Sequence, residues 1–434
     1  MITYGTAGFR YNEEIMKKIA FKIGVACAKC SYELSSQLGI MITASHNEYT
    51  DNGVKLIMSN GEYITPNLEL LVNEIVNSDD IYTQNKTCGF IIGKDTRRSC
   101  DEILNLIISG ICSVDKYCKI NFIGYTTTPE LHYYTAGQKN YIQKYKTLYN
   151  NLNITKSGCI VDCANGVGYL ALNNFNLSEL TLINTNVNDH KLLNNKCGSD
   201  HVINNQLSSN HFLACFDGDA DRIIFVKDKL IFDGDYISAL VATYLKYFNC
   251  QHEIVVVHTS YSNKSFVDYI KTLNIKTICV ATGVKNLHHV AKQYDIGIYF
   301  EANGHGTVLC KEYVYDDFPL LELFSQLVGD SICNLLGVLS ILNTQIVSVD
   351  EWGNLFTKVP FKLYALDGYD KTQYKLDENE TKLIEPEGIQ DKLDQLDGRV
   401  FIRPSGTENK LRVYIESCNN INELFDQTVE ILKN

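Results

Sequence analysis

The sequence predicts an α/β protein of several domains with mostly parallel sheets, ending in a small α+β unit. Three observations carry that prediction. Short apolar runs alternate with amphipathic segments over most of the chain, as strands and covering helices do. The 434 residues are 45% hydrophobic and 11% aromatic, enough for several cores and too apolar for a disordered chain. The alternation stops after a polar stretch at 367–387, and two strands then flank a tight loop ahead of a final helix.

In chain order, the first strands are expected at Ile40–Thr43, Phe90–Gly93 and Lys119–Ile123. A second set is expected at Cys159–Asp162, Leu180–Ile183, Leu213–Phe216 and Ile223–Val226, and a third at Ile254–His258, Thr277–Val280 and Ile296–Phe300. Helical spacing marks Asn12–Leu34, Pro66–Val76, Asp235–Phe248 and Val284–Gln293, and Leu320–Leu342 reads as a core helix. The last unit pairs Arg399–Arg403 with Leu411–Glu416 and ends in a helix at Ile421–Lys433. Polar breaks at 138–156, 249–253 and 344–351 divide the chain into four parts.

Lys and Arg total 39 against 51 Asp and Glu, a formal net charge of −12. No basic face is left for a nucleic acid or an anionic membrane, so an anionic ligand must meet a local cationic cluster. No signal peptide is expected, and the charges within Leu320–Leu342 exclude a membrane span. Fifteen scattered cysteines read as free thiols in a reducing, cytoplasmic setting, including the Cys27/Cys30 pair inside a helix.

Four segments make poor sense as packing. Thr43-Ala44-Ser45-His46-Asn47 follows a strand end, where α/β sheets bind ligands; Ser45 is either a phosphoryl carrier or a turn residue. Asp217-Gly218-Asp219-Ala220-Asp221-Arg222 places three carboxylates at i, i+2 and i+4. They repel one another unless a hard cation such as Mg²⁺ or Ca²⁺ is present. An EF-hand fails, because Arg222 and Asp228 hold the places that need Gly and Glu. Glu301-Ala302-Asn303-Gly304-His305-Gly306 offers hydrogen-bonding groups for sugar hydroxyls, or is an Asn-Gly turn. Arg403-Pro404-Ser405-Gly406-Thr407-Glu408 is an anion cradle or a hairpin turn. Gly166-Val167-Gly168-Tyr169-Leu170-Ala171 matches the dinucleotide fingerprint, but the next strand ends in Asn184-Thr185-Asn186 without the acidic residue a ribose needs. It reads as a tight strand-to-helix turn.

One such segment falls in each part, and their order and composition resemble the α-D-phosphohexomutase superfamily over essentially the whole chain. Further motifs narrow the resemblance to the eukaryotic phosphoacetylglucosamine mutase family. They are Gly5–Arg10, Asp51-Asn52-Gly53-Val54-Lys55-Leu56, Thr126–Tyr133, Val161–Gly166 and Thr282-Gly283-Val284-Lys285.

The resemblance implies a four-domain architecture, three related mixed-sheet α/β domains and a smaller C-terminal α+β domain closing over a central cleft. The expected limits are 1–140 (phosphoserine), 141–251 (metal), 252–345 (sugar) and 346–434 (phosphate). It implies interconversion of N-acetylglucosamine 6-phosphate and 1-phosphate through a phosphoserine and a 1,6-bisphosphate, for UDP-N-acetylglucosamine synthesis. A sugar 1,6-bisphosphate would prime the enzyme, which is expected to be a monomer binding small sugar phosphates. Mg²⁺ would be held by Asp217, Asp219, Asp221 and Ser45, with Arg10 and Arg222 near the phosphoryl group. Lys55, its pKa lowered by neighbouring cations, or else His46, would move the hydroxyl proton. Lys285, Glu301, Asn303 and His305 would meet the sugar, and Arg403, Ser405, Gly406 and Thr407 the phosphate that is not reacting. Asn303, where other hexomutases usually have Ser, is expected to admit a 2-acetamido group. Competing readings are glucose or mannose phosphate specificity and a catalytically dead sensor.

Three departures stand out. Glu48 follows Ser-His-Asn where the family usually has Pro, which is expected to loosen the loop. Arg98 stands for Pro in 94–99, and Asn409 for an acidic residue.

Overall fold

The computed structural model describes residues 2–5, 8–78, 89–152, 154, 156–324, 327–405 and 410–433. Nineteen strands among them build four principal sheets and one small hairpin. The first sheet holds β1 (Phe9–Asn12), β2 (Leu38–Ile42), β3 (Asp51–Ile57), β4 (Gly89–Lys94) and β5 (Lys119–Tyr125), in the order β1-β3-β2-β4-β5. β2, β4 and β5 run parallel, and β1 and β3 antiparallel to their neighbours. Every residue of β2 is buried, as a central parallel strand covered on both faces requires. The helices Glu13–Leu34, Pro66–Asn77 and Cys100–Val114 cover one face. The helix Thr128–Thr135 covers the other through Leu131, packed with Met41, Ile57 and Ile91.

The second sheet holds β6 (Cys159–Asp162), β7 (Leu180–Ile183), β8 (Ser209–Phe216), β9 (Ile223–Asp228) and β10 (Leu230–Phe232), ordered β10-β9-β8-β6-β7. The third holds β11 (Ile254–His258), β12 (Lys276–Cys279), β13 (Ile296–Phe300) and β14 (Gly306–Cys310), ordered β12-β11-β13-β14. Numbered by appearance, the last four strands of the first sheet, the first four of the second and all four of the third follow one order, 4-3-1-2. The second and third are closest, because their first two strands pair parallel, whereas β2 and β3 pair antiparallel. β15 (Phe361–Asp367), β18 (Arg399–Pro404) and β19 (Lys410–Glu416) form an antiparallel fourth sheet, and β16 (Lys375–Leu376) with β17 (Leu383–Glu385) the hairpin. The helix Ile421–Lys433 closes a core of Ile402, Leu411, Val413, Ile415 and Leu424.

Contacts divide the chain into two units. Unit 1 is Met1–Ile231, Asn303–Thr307 and Phe318–Thr344; unit 2 is Phe232–Ala302, Val308–Asp317 and Gln345–Asn434. The first two sheets lie in unit 1, and the third and fourth essentially in unit 2.

Two expectations are corrected. The stretch at Leu320–Leu342 is not one helix: a 3-10 turn at Pro319–Leu323 is separated from a helix at Ser331–Asn343. A Cβ on Gly329 would lie 2.8 Å from both the Asp221 carbonyl oxygen and His305 Nδ1, so the chain passes too close to the metal loop to stay wound. Asp330 restarts the helix as its N-cap, accepting from the Ile332 and Cys333 amides at 3.0 Å. The polar break at 138–156 contains a helix, Tyr141–Asn151, whose Tyr141, Tyr145 and Tyr149 are buried in one stripe. Among the described residues no helix is long and apolar enough to cross a membrane, and every cysteine is a free thiol.

Candidate active site

The serine loop begins where β2 ends. Ser45 is 1% exposed and left-handed at φ 54°, a conformation costly for a non-glycine residue and held by its surroundings. Its N–H donates to Thr43 Oγ1 at 2.9 Å, and Thr43 in turn donates to Asp95 Oδ2 at 2.7 Å. Its carbonyl accepts from Arg97 Nη2 at 2.9 Å and from Asn194 Nδ2 at 2.8 Å. Arg97 also donates to the carbonyls of Asn47 (2.9 Å), Asp51 (2.9 Å) and Glu48. One guanidinium thus collects four carbonyls, and the loop is not loosened at Glu48, whose side chain is exposed. Arg98, the other described departure, pairs with Glu13 through Nε at 2.9 and 3.1 Å.

Ser45 Oγ donates to Asp217 Oδ2 at 2.7 Å and lies 3.5 Å from Asp221 Oδ1. Gly218 is required there, because a Cβ would meet the Ser45 carbonyl oxygen at 2.7 Å and Asn194 Nδ2 at 2.9 Å. Asp217, Asp219 and Asp221 are all buried and bring ligand oxygens within 4.8 Å of one another. Burial, then the charges of Asp221 and Asp219, push the Asp217 carboxyl well above the usual carboxylate range. Asp219 Oδ1 is buried without a hydrogen-bond partner among the described residues. An oxygen-only set with uncompensated negative charge and an orphaned acceptor fits a hard divalent cation such as Mg²⁺.

Lys55, in β3, donates to Asp219 Oδ2 and Asp221 Oδ2, both at 2.7 Å. Burial alone would lower its pKa, but the two carboxylates outweigh it and the pKa is raised. The lowering expected from neighbouring cations is therefore reversed, because its contacts are anions. Asp221 is held well below its ordinary range: burial opposes this, but Lys55, His305 and Arg222 prevail. His46 goes the other way. Burial, then Arg222 and Arg10, depress it well below its ordinary value, leaving a neutral imidazole. Arg10 Nη1 reaches Asn47 Oδ1 at 3.3 Å and the His46 ring at 3.4 Å. Arg222 Nη1 lies 3.3 Å from Asp200 Oδ1, and His46 Nε2 lies 3.7 Å from Asp200 Oδ2.

His305 is also in unit 1. Its Nδ1 donates to the Asp221 carbonyl at 2.7 Å, and its Nε2 lies 3.3 Å from the Tyr63 hydroxyl. Asn303 Oδ1 accepts from the His305 N–H at 2.9 Å. Lys285, Glu301, Arg403 and Ser405 lie in unit 2. The first three are half-buried, and Ser405 is buried with its N–H on the Lys410 carbonyl at 2.9 Å. Gly406 and Thr407, like Asn409, lie outside the described residues. Unit 1 therefore brings together Ser45, His46, Arg10, Lys55, Asp217, Asp219, Asp221, Arg222 and His305.

Sequence reasoning assigned no role to Thr128, Arg97, Asn194 or Asp200. Thr128 donates to Asp219 Oδ2 at 2.6 Å, and its N–H to the Asp219 carbonyl at 3.1 Å. The only signal for it was its place in the 126–133 motif, and for Arg97 its place in 94–99.

A serine bonded to an oxygen-only acidic cluster, on repeated α/β layers, is the equipment of a phosphoryl-transferring enzyme. Models for phosphoglucomutase/phosphomannomutase match residues 26–83 and 80–143 (alpha/beta/alpha domain I) and 372–431 (C-terminal domain), which sets the class. Residues 233–319 match domain III of phosphoacetylglucosamine mutase AMG1. The phosphoacetylglucosamine mutase of Candida albicans is 33% identical over 524 residues, covering 99% of this chain and 96% of its own. The chain belongs to the phosphoacetylglucosamine mutase family. A crystal structure of the Aspergillus fumigatus N-acetylphosphoglucosamine mutase, in complex with GlcNAc-6P and magnesium, is similar with a TM-score of 0.90 at 29% identity. It covers 100% of this chain and 95% of its own. An N-acetylglucosamine-phosphate mutase of the α-D-phosphohexomutase superfamily, in its substrate complex, gives 0.86 at 31% identity, covering 100% and 96%.

Proposed function

We propose that this chain interconverts N-acetylglucosamine 6-phosphate and 1-phosphate through a phosphoserine at Ser45 and a sugar 1,6-bisphosphate, feeding UDP-N-acetylglucosamine synthesis. The observation that carries the reading is the buried, left-handed Ser45 with Oγ 2.7 Å from Asp217, in a chain of this family. Residues 1–140 would supply the phosphoserine, 141–251 the metal ligands, 252–345 the sugar contacts and 346–434 the phosphate grip.

Mg²⁺ held by Asp217, Asp219, Asp221 and a phosphoserine oxygen would, when bound, withdraw charge from the transferring phosphoryl group. Arg97 and Asn194 hold the Ser45 backbone, and the hydrogen bond to Asp217 aims its Oγ. In the first half-reaction the sugar hydroxyl oxygen bonds to phosphorus as the Ser45 Oγ–P bond breaks, and that electron pair stays on Oγ. The hydroxyl proton passes to His46, which burial and its cationic neighbours keep neutral, while Lys55 remains charged against the aspartates. The bisphosphate then presents its other phosphate, the bonds exchange in reverse, and the proton returns to the freed sugar oxygen. Lys285, Glu301 and Asn303 would contact the sugar, and Arg403, Ser405, Gly406 and Thr407 would hold the spectator phosphate. We further infer a monomer in the cytoplasm, to be checked by light scattering and fractionation.

The test is turnover of N-acetylglucosamine 6-phosphate with Mg²⁺ and trace hexose 1,6-bisphosphate, with intact mass reporting one phosphoryl group on the enzyme. Loss of both in Ser45→Ala is expected; turnover retained by that variant would refute the mechanism. A strong kcat/KM preference for glucose 1-phosphate over its N-acetylated counterpart would move the specificity to the phosphoglucomutases.

A further inference from the structure

The tip of the β16–β17 hairpin, residues 377–382, contains no motif, yet it is firmly built. Asp377 accepts from the Thr381 N–H and hydroxyl, both at 2.5 Å, and from the Lys382 N–H at 3.1 Å. Glu380, within that turn, is left-handed at φ 50°, which a non-glycine residue keeps only where its surroundings over-determine it.

Those surroundings are two loops of unit 2 that follow strands, and the carboxyl-terminal end of a third strand. Glu380 Oε2 accepts from the Thr282 N–H at 3.0 Å, at the start of the loop that carries Lys285 after β12. The same oxygen lies 2.8 Å from Arg403 Nε, near the end of β18. The Glu380 carbonyl accepts from Ser260 Oγ at 2.7 Å, just after β11. The Glu380 and Arg403 side chains are each 23% exposed, so solvent only partly screens the pair. Arg403 Nε is buried and makes no hydrogen bond among the described residues, so Glu380 acts on it as a close ion pair, and that charge holds the guanidinium beside the loop at Thr282. Burial raises the Tyr261 phenol, and the nearby positive charge of Arg403 offsets part of that rise.

We propose that Glu380 is a positioning residue, coupling Arg403 to the backbone of the sugar loop at Thr282. The proposal rests on reading Arg403 as the group that holds the spectator phosphate of a sugar phosphate. Glu380 then fixes the spacing between the phosphate grip and the loop that meets the ring, and that spacing is the same whichever phosphate of the bisphosphate is held. Loss of Glu380 therefore weakens both substrate directions by the same factor.

The experiment compares Glu380→Gln, Glu380→Ala, Arg403→Ala and the Glu380→Ala/Arg403→Ala double variant of the full chain. It reads KM and kcat in both directions, competitive inhibition by inorganic phosphate, and Tm. Glu380→Ala is expected to raise KM about tenfold or more in both directions, with kcat within about twofold. Glu380→Gln should fall between, since its amide oxygen can still accept from the Thr282 N–H. Inorganic phosphate should inhibit the Glu380 variants more weakly than the wild type, and the double variant should be no worse than Arg403→Ala. An unchanged or lowered KM in a folded Glu380→Gln variant overturns the proposal, as does additivity in the double variant. If Glu380→Ala does not fold, the Gln variant decides by the same readouts. Arg403→Ala with unchanged KM breaks the underlying reading; Arg403→Ala with raised KM beside a normal Glu380→Gln breaks the proposal alone.

Discussion

The two regions proposed to handle phosphate are built on opposite plans. Around Ser45 in unit 1 the serine is 1% exposed, its carbonyl is held twice, and three buried aspartates interleave with Lys55 and Arg222. Around Arg403 in unit 2 the side chain is 23% exposed and meets one carboxylate at the tip of a small hairpin. The difference matches the tasks proposed for them. A centre that makes and breaks the same bond in every half-reaction gains from fixed dipoles that need no reorganisation. A centre that must accept either end of a bisphosphate gains from charge without tight enclosure.

The comparison can be broken at its strongest point first. Ser45→Ala should lower turnover by about 10⁴-fold or more and abolish enzyme phosphorylation in intact-mass spectra. Next, Asp219→Asn should lower kcat by about 10²–10³-fold. It should also remove a Mg²⁺-dependent rise in Tm that the wild type shows against EDTA, worth about 2.7 kcal/mol at a hundredfold excess over Kd. A wild-type Tm indifferent to Mg²⁺ would detach the aspartates from the metal. Arg403→Ala should act mainly on KM, raising it about 10- to 100-fold with a small change in kcat. A loss in kcat as deep as that of Ser45→Ala would erase the contrast between the two regions.

A final test, on stability rather than turnover, addresses the scaffold under the serine centre. Asp330 starts the helix whose Ser331 N–H donates to the Ala220 carbonyl at 3.0 Å in the metal loop. Burial raises the Asp330 carboxyl from 3.8 to about 6. The folded protein therefore keeps a proton that the unfolded chain has released between those values. Its contribution is fully present below pH about 4 and is lost as pH rises through about 6. Relative to Asp330→Asn, which does not titrate, the wild type should lose up to about 3 kcal/mol between pH 4 and 7. Denaturation midpoints at fixed pH values read it; a wild-type/variant difference that does not change with pH would exclude a titrating cap.

Legibility followed sequence distance. β6, β7, β11, β13 and the helix Ile421–Lys433 lie at their expected residues, because each is an apolar run or stripe bounded by turn formers. The helix Tyr141–Asn151 was hidden because its buried face consists of tyrosines at every fourth position among polar residues. Gly329 broke the Leu320–Leu342 stretch for the sake of Asp221 and His305, a contact no local pattern reveals. At the site, Ser45 and the three aspartates were legible because each forms a local cluster. Thr128 and Asn194 were not, because they act on residues 91 and 149 positions away. Lys55 was legible as a cation, but not the sign of its pKa shift, which depends on carboxylates 164 and 166 residues distant.

Asn194 belongs to the second sheet's connections yet holds the backbone of a loop that springs from the first. Thr128, beyond β5, grips the acidic loop that springs from the second. Each layer therefore finishes the other's reactive edge. Cut from its companion, the first layer would keep its serine but lose an anchor of the loop that presents it, and the second would keep its acids but lose a clamp that spaces them. Halves of this stretch grafted onto other sheets would inherit residues without inheriting a reaction.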